Sequence, residues 1–136
     1  MLDLRDIQEV LRAHGHVLDA KVPAFDIGGQ PFSFDSATHL MGVVNLSSDS
    51  WYTESVCTSP EQAIARGEAL RAGGAALVDI GAESTLPEAR RVPPDEQREL
   101  LLPVVRALSQ RGIAVSVESY HAEVLEAAAL AGAHED

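Results

Sequence analysis

The chain has one cysteine, Cys57, in 136 residues. A single thiol excludes an internal disulfide and a cysteine-rich zinc site. Nothing around Cys57 marks a reactive thiol, so it reads as a small loop or strand-flanking residue. Aromatic residues make up only 4% of the sequence while 46% is hydrophobic, a balance typical of Ala-, Val- and Leu-rich α/β proteins. Basic residues are scarce, 10 Lys and Arg against 21 Asp and Glu, giving a formal charge of −11. That argues against nucleic acid or an anionic membrane as partner through a basic face. No uninterrupted apolar run approaches the ~20 residues of a membrane span. The start, Met1-Leu2-Asp3-Leu4-Arg5-Asp6, is charged and has no apolar signal core. A soluble cytoplasmic protein is expected. There is no GxxxxGK and no GxGxxG, and the five His, at 14, 16, 39, 121 and 134, show no metal-ligand spacing.

What the sequence does have is one pattern stated three times. Met41-Gly42-Val43-Val44-Asn45-Leu46 is an apolar strand ending at Asn, followed by the polar Ser47-Ser48-Asp49-Ser50. Ala75-Ala76-Leu77-Val78-Asp79-Ile80-Gly81 runs into Glu83-Ser84-Thr85. Ile113-Ala114-Val115-Ser116-Val117 runs into Glu118-Ser119-Tyr120. Each strand places polar groups just past its C-terminal end, with a helical pattern between each pair. An α/β barrel assembles a site in this way, because the loops at that end converge on one mouth.

Around these strands the spacing predicts a helix over residues 1–15 (Leu4, Ile7, Val10, Leu11, with Gly15 as stop) and a β-hairpin over 16–34 turning at Gly28-Gly29. Strands are expected near 39–46, 75–81 and 113–118, and helices near 60–72, 94–110 and 121–131. Ser59-Pro60-Glu61-Gln62 supplies a Ser cap, a proline at the first helical position and a capping-box Gln. Pro103 falls inside the second helix and predicts a kink or break. Gly132-Ala133 resembles the Gly74-Ala75 entry to a strand, so 39–133 reads as half of an eight-fold barrel, with exposed sheet edges that invite self-association.

Three residues stand out chemically. Asn45 ends the first strand, where its side-chain oxygen suits a hard cation such as Mg²⁺ or simply forms a turn. Thr85 and nearby amides suit phosphate oxygens, or form a polar rim. Glu118 ends the third strand; it can accept a pair of N–H bonds from a heterocycle or pair with a rim Arg. Asp49 reads as a loop cap or a second acidic contact. Trp51 and Tyr52 read as loop packing or a cover for a flat ligand.

In order and spacing these segments resemble dihydropteroate synthase, whose own motifs read roughly MGIVNVTPDSF, IDIGGESTRP and VDTY. The resemblance covers about residues 39–133. It implies the N-terminal half of a (β/α)8 TIM barrel, about β1 to α3 of the family, with a hairpin closing its bottom. The implied reaction, in folate biosynthesis, condenses 6-hydroxymethyl-dihydropterin diphosphate with p-aminobenzoate, with Mg²⁺ assisting departure of pyrophosphate. Carried over by position, Asn45 is the metal and diphosphate contact, Thr85 a diphosphate contact, and Glu118 stands at the pterin-binding Asp. Ser47-Ser48 replaces Thr-Pro, Thr53 replaces a second Asp, Leu86 replaces an Arg, and Glu118 is one methylene longer than Asp. These departures resemble the divergent actinobacterial second-copy branch of the family. The alternative is a non-catalytic, truncated or diverged pterin-binding half-barrel.

Overall fold

A computed structural model describes residues 3–33, 38–50 and 52–133. The expectations on Phe34, Trp51 and His134-Glu135-Asp136 lie outside those residues.

The chain opens with helix α1, Leu4–His14, capped by a reciprocal pair. Asp3 Oδ1 accepts from the N–H groups of Arg5 and Asp6, and Asp6 Oδ2 accepts from the Asp3 N–H at 2.8 Å. The stripe Leu4, Ile7, Val10 and Leu11 is present but exposed, and α1 buries no residue. The predicted hairpin over 16–34 is shorter than expected. Residues Gly15–Asp19 form a 3₁₀ turn closed by Ala20 N–H on the Val17 carbonyl, and 20–24 have no regular structure. Val17 and Val22 have no partner strand and are exposed. The hairpin proper is β1, Phe25–Ile27, paired antiparallel with β2, Gln30–Phe32. Gly28 and Gly29 turn it with φ of 61° and 79°, the left-handed pair that a two-residue turn of this hand requires.

Three parallel strands follow: β3 (Met41–Asn45), β4 (Leu77–Gly81) and β5 (Val115–Glu118), in the order β3-β4-β5. Between and after them run α2 (Pro60–Ala72), α3 (Pro94–Ser109) and α4 (Ala122–Leu130). The strands are shorter than the apolar runs that announce them, although pairing already begins below them, with Ala76 N–H on the Leu40 carbonyl. Ser59 Oγ caps α2 through Gln62 N–H, but the Gln62 side chain reaches one residue further back than a capping box requires, accepting from Thr58 N–H and Oγ1. Pro103 does not break α3, which runs through it from Pro94 to Ser109. The proline sits on the exposed side, while Leu101, Val104, Val105 and Leu108 are fully buried.

Alternation along the strands sorts the two faces. Val44, Val78, Ile80 and Val115 join the buried residues of the helices in the main core. A second, smaller core lies at the N-terminal end of the sheet, where Ile27 and Phe32 of the hairpin bury against Ala76, Leu77 and Ala114. The hairpin thus plugs the bottom of the sheet and leaves the opposite end, where the strands terminate, for the polar loops.

Candidate functional site

The register aligns Asn45 with Gly81 and Gly81 with Glu118 as Cα partners. These three positions form one rung at the C-terminal end of the sheet. They share the face that alternates away from Val44 and Ile80, hence away from the helices. Adjacent strands lie about 4.8 Å apart, so Asn45 and Glu118 stand about 10 Å from each other across a glycine. Gly81 leaves that span clear of a side chain: a Cβ there would lie 3.6 Å from Asn45 Oδ1.

Asn45 is oriented from behind. Its Nδ2 donates to Ser55 Oγ at 2.6 Å, and Ser55 Oγ donates to the Tyr52 carbonyl at 2.6 Å. Ser55 is fully buried in the 3₁₀ turn Thr53–Ser55. With Nδ2 committed, Oδ1 faces the glycine of the rung. The next loop segment is stitched down as Cys57 N–H donates to the Asn45 carbonyl at 2.7 Å. Cys57 is buried, and that burial pushes its thiol above its usual range against the weaker pull of Arg66; it is a packing residue, as its surroundings in sequence suggest. Asp49 ties two loops together. It accepts from Ser48 Oγ at 3.2 Å and from the Arg90 N–H at 3.3 Å. Tyr52 is exposed, with its hydroxyl on Glu54 at 2.9 Å.

Glu118 is exposed at the end of β5, and Thr85 is exposed in the loop beyond β4. The sheet therefore brings Asn45 and Glu118 onto one rung and sets Thr85 four residues past its middle member. Two cavities flank this mouth. One is lined by Ser47, Asp49, Arg90, Glu96 and neighbouring apolar residues, the other by Glu83, Arg91, Tyr120 and His121. Neither is lined by Asn45, Thr85 and Glu118 together. Thr53 and Leu86 stand as exposed and half-buried loop residues, respectively. Among the described residues no cluster of three His, Cys, Asp or Glu side chains is placed to hold a metal.

Sequence reasoning missed what lies beneath and beside the rung. Asp79 and Ser116 occupy the next position down the same face, and Ser116 Oγ donates to Asp79 Oδ1 at 2.7 Å. The period-2 alternation of a strand was the signal for both. Glu83, with only 5% of its side chain accessible, accepts from Arg91 Nη1 at 2.9 Å, Val92 N–H at 3.0 Å and Gln97 Nε2 at 3.0 Å. Burial alone would raise its carboxyl. The Val92 N–H, the Arg91 bond and charge and the nearby His121 outweigh that, holding it below the usual carboxylate range. Gln97 is fully buried near the start of α3, and no motif in the sequence marks it.

Parallel strands alternating with helices, a plugged bottom and a polar rung at the C-terminal end define part of a TIM barrel, with three parallel strands and no closure among the described residues. Residues 41–135 match the family described as pterin binding enzyme, and the chain belongs to that family. It is similar to the dihydropteroate synthase of Mycobacterium leprae, 38% identical over 69% of this chain and 33% of the relative. It also resembles that of Synechocystis, 34% identical over 82% of this chain and 39% of the relative. Among solved structures, Yersinia pestis dihydropteroate synthase in a sulfonamide drug complex superposes with a TM-score of 0.73 at 32% identity, covering 82% of this chain and 40% of that one. Xanthomonas albilineans dihydropteroate synthase with 4-aminobenzoic acid gives 0.69 at 36% identity, covering 82% and 42%. The chain thus spans about a third to two fifths of the length of these four relatives.

Proposed function

We propose that this chain carries the N-terminal part of a dihydropteroate synthase-type site in folate biosynthesis, binding a pterin diphosphate beside p-aminobenzoate. The observation that carries the reading is the rung: an oriented Asn45 and an open Glu118 flank Gly81 at the C-terminal end of the sheet. Glu118 suits the paired N–H groups of a pterin ring. Thr85 suits diphosphate oxygens. Asn45 Oδ1, with Nδ2 held by Ser55, suits Mg²⁺, which takes few protein oxygens and completes its shell with phosphate and water. When bound, the ion neutralises charge on the departing pyrophosphate. No described helix is long and apolar enough to cross a membrane.

The test is calorimetric titration with 6-hydroxymethyl-dihydropterin diphosphate, with and without Mg²⁺. Asn45→Ala is expected to abolish the Mg²⁺ dependence, and Glu118→Gln to weaken binding at least about tenfold, the equivalent of one charge-assisted bond. Both variants titrating like the parent would overturn the reading. Pterin affinity in the parent that is indifferent to Mg²⁺ selects the second reading, a non-catalytic pterin-binding half-barrel, which Thr53 and Leu86 favour by standing where the family's motifs have an Asp and an Arg.

A further inference from the structure

The Gln97 amide is completely buried and fully engaged. Nε2 donates to Glu83 Oε2 at 3.0 Å and to the Val92 carbonyl at 2.9 Å, and Oε1 accepts from Ser119 Oγ at 2.8 Å. Ser119 Oγ also accepts from the His121 N–H at 3.2 Å. These partners belong to two loops. Glu83 and Val92 bracket the segment after β4 that holds Ser84 and Thr85, and Ser119 follows Glu118 directly. The other buried side chains of α3 are the apolar Leu101, Val104, Val105 and Leu108, so packing alone does not call for an amide here. An apolar residue of the same size would fill the space but take one hydrogen bond each from the Glu83 carboxylate, the Val92 carbonyl and the Ser119 hydroxyl.

We propose that Gln97 is a positioning residue of this mouth: it latches the loops after β4 and β5 to α3, so that Thr85 and Glu118 hold one fixed relation. The ligand they would address is that of the reading above, but the latch is testable without it. Charged groups around Gln97 are Glu83 with Arg91 on one loop, His121 on the other, and the Arg90–Glu96 pair.

The experiment is hydrogen exchange of the 82–92 and 118–122 amides in the free chain, beside titration with 6-hydroxymethyl-dihydropterin diphosphate and Mg²⁺. Gln97→Leu should accelerate exchange in both loops by roughly tenfold or more, while the strands stay protected. Ser119→Ala, which deletes the bonds to Gln97 and from His121 and touches only the loop after β5, should accelerate exchange in the other. Gln97→Glu places two carboxyls in contact and closes the latch only while they share a proton. Its loops should be held at about pH 5 and loosen towards pH 7, the reverse of the parent, in which Glu83 is lost only in acid. That reversal would not follow from a residue that merely fills space. Unchanged exchange across α3 in Ser119→Ala, or a parental pH profile in Gln97→Glu, would sink the proposal. Loops that respond as expected in a chain with no pterin affinity would leave the latch standing and remove the pterin reading instead.

Discussion

Three donors converge on Glu83, and their balance sets a pH dependence at the residue scale. Its carboxyl lies below the usual range in the folded chain, so its contribution to stability is present above the unfolded value of about 4.3 and is lost as pH falls through the lower folded value. Glu83→Gln keeps one acceptor and loses the charge. The variant is expected to melt below the parent near neutral pH by an amount equivalent to about 1.5–3 kcal/mol, with the gap closing below about pH 4. Thermal melts of both proteins across that range check it; a constant gap would mean that the Arg91 and Val92 bonds do not depend on the charge. Asn45 shows the same economy of placement: one buried hydroxyl, Ser55, decides which way its amide points.

At the scale of elements, the helices meet the sheet through positions that tolerate no extra volume. Gly67 lies inside α2, where alanine is favoured by propensity by up to about 1 kcal/mol. A Cβ there would come within 2.7 Å of Leu108 Cδ1 and 2.9 Å of Cδ2. Leu108 is fully buried, so its methyls could move only by displacing other core side chains, and overpacking of about 1–3 kcal/mol wins. Gly67→Ala is expected to lower the denaturant midpoint at unchanged slope; a raised midpoint would show that the α2–α3 contact yields. Legibility at this scale followed the physics of each element. Pro60–Ala72 matched its expected limits because cap, first-turn proline and terminal glycines are all local signals. The hairpin over 16–34 shrank to β1 and β2 because Val17 and Val22 are apolar without a strand to pair with. Pro103 left α3 whole, and it lies on the exposed side, where water can reach the Glu99 carbonyl that the proline leaves without an N–H.

For the whole molecule the open question is closure. Three parallel strands do not make a barrel, and among the described residues β5 is paired only through β4. The β3 edge is already partly occupied: the Val43 carbonyl accepts from Arg66 Nε at 3.2 Å and the Asn45 carbonyl from Cys57 N–H. Self-association is therefore expected to use the β5 edge, together with exposed apolar surface such as Leu40 and Met41. Sizing chromatography with light scattering should show mass rising with concentration; a monomer at every concentration would argue that both edges are protected. Assayed alone for pyrophosphate release from pterin diphosphate and p-aminobenzoate, this chain is expected to show no turnover. Loss of a single well-placed electrostatic donor already costs roughly 10²–10³ in rate, and the described residues form three parallel strands rather than a closed mouth. Turnover that vanishes with Asn45→Ala would contradict this.

The βαβαβα order, the end of the sheet that carries polar groups, and Asn45 and Glu118 as its outward residues are properties of local pattern. Alternation, caps and glycines act over a few residues, so the linear chain states them. Two things required the folded chain. Register decided that Asn45, Gly81 and Glu118 share one rung, because hydrogen-bond pairing between distant segments has no local signature. Burial decided that Gln97, more than ten residues from Glu83 and more than twenty from Ser119, is the amide joining both loops. A glutamine in sequence is ordinarily a solvated helix residue, and only a closed apolar surround turns its three hydrogen bonds into a latch.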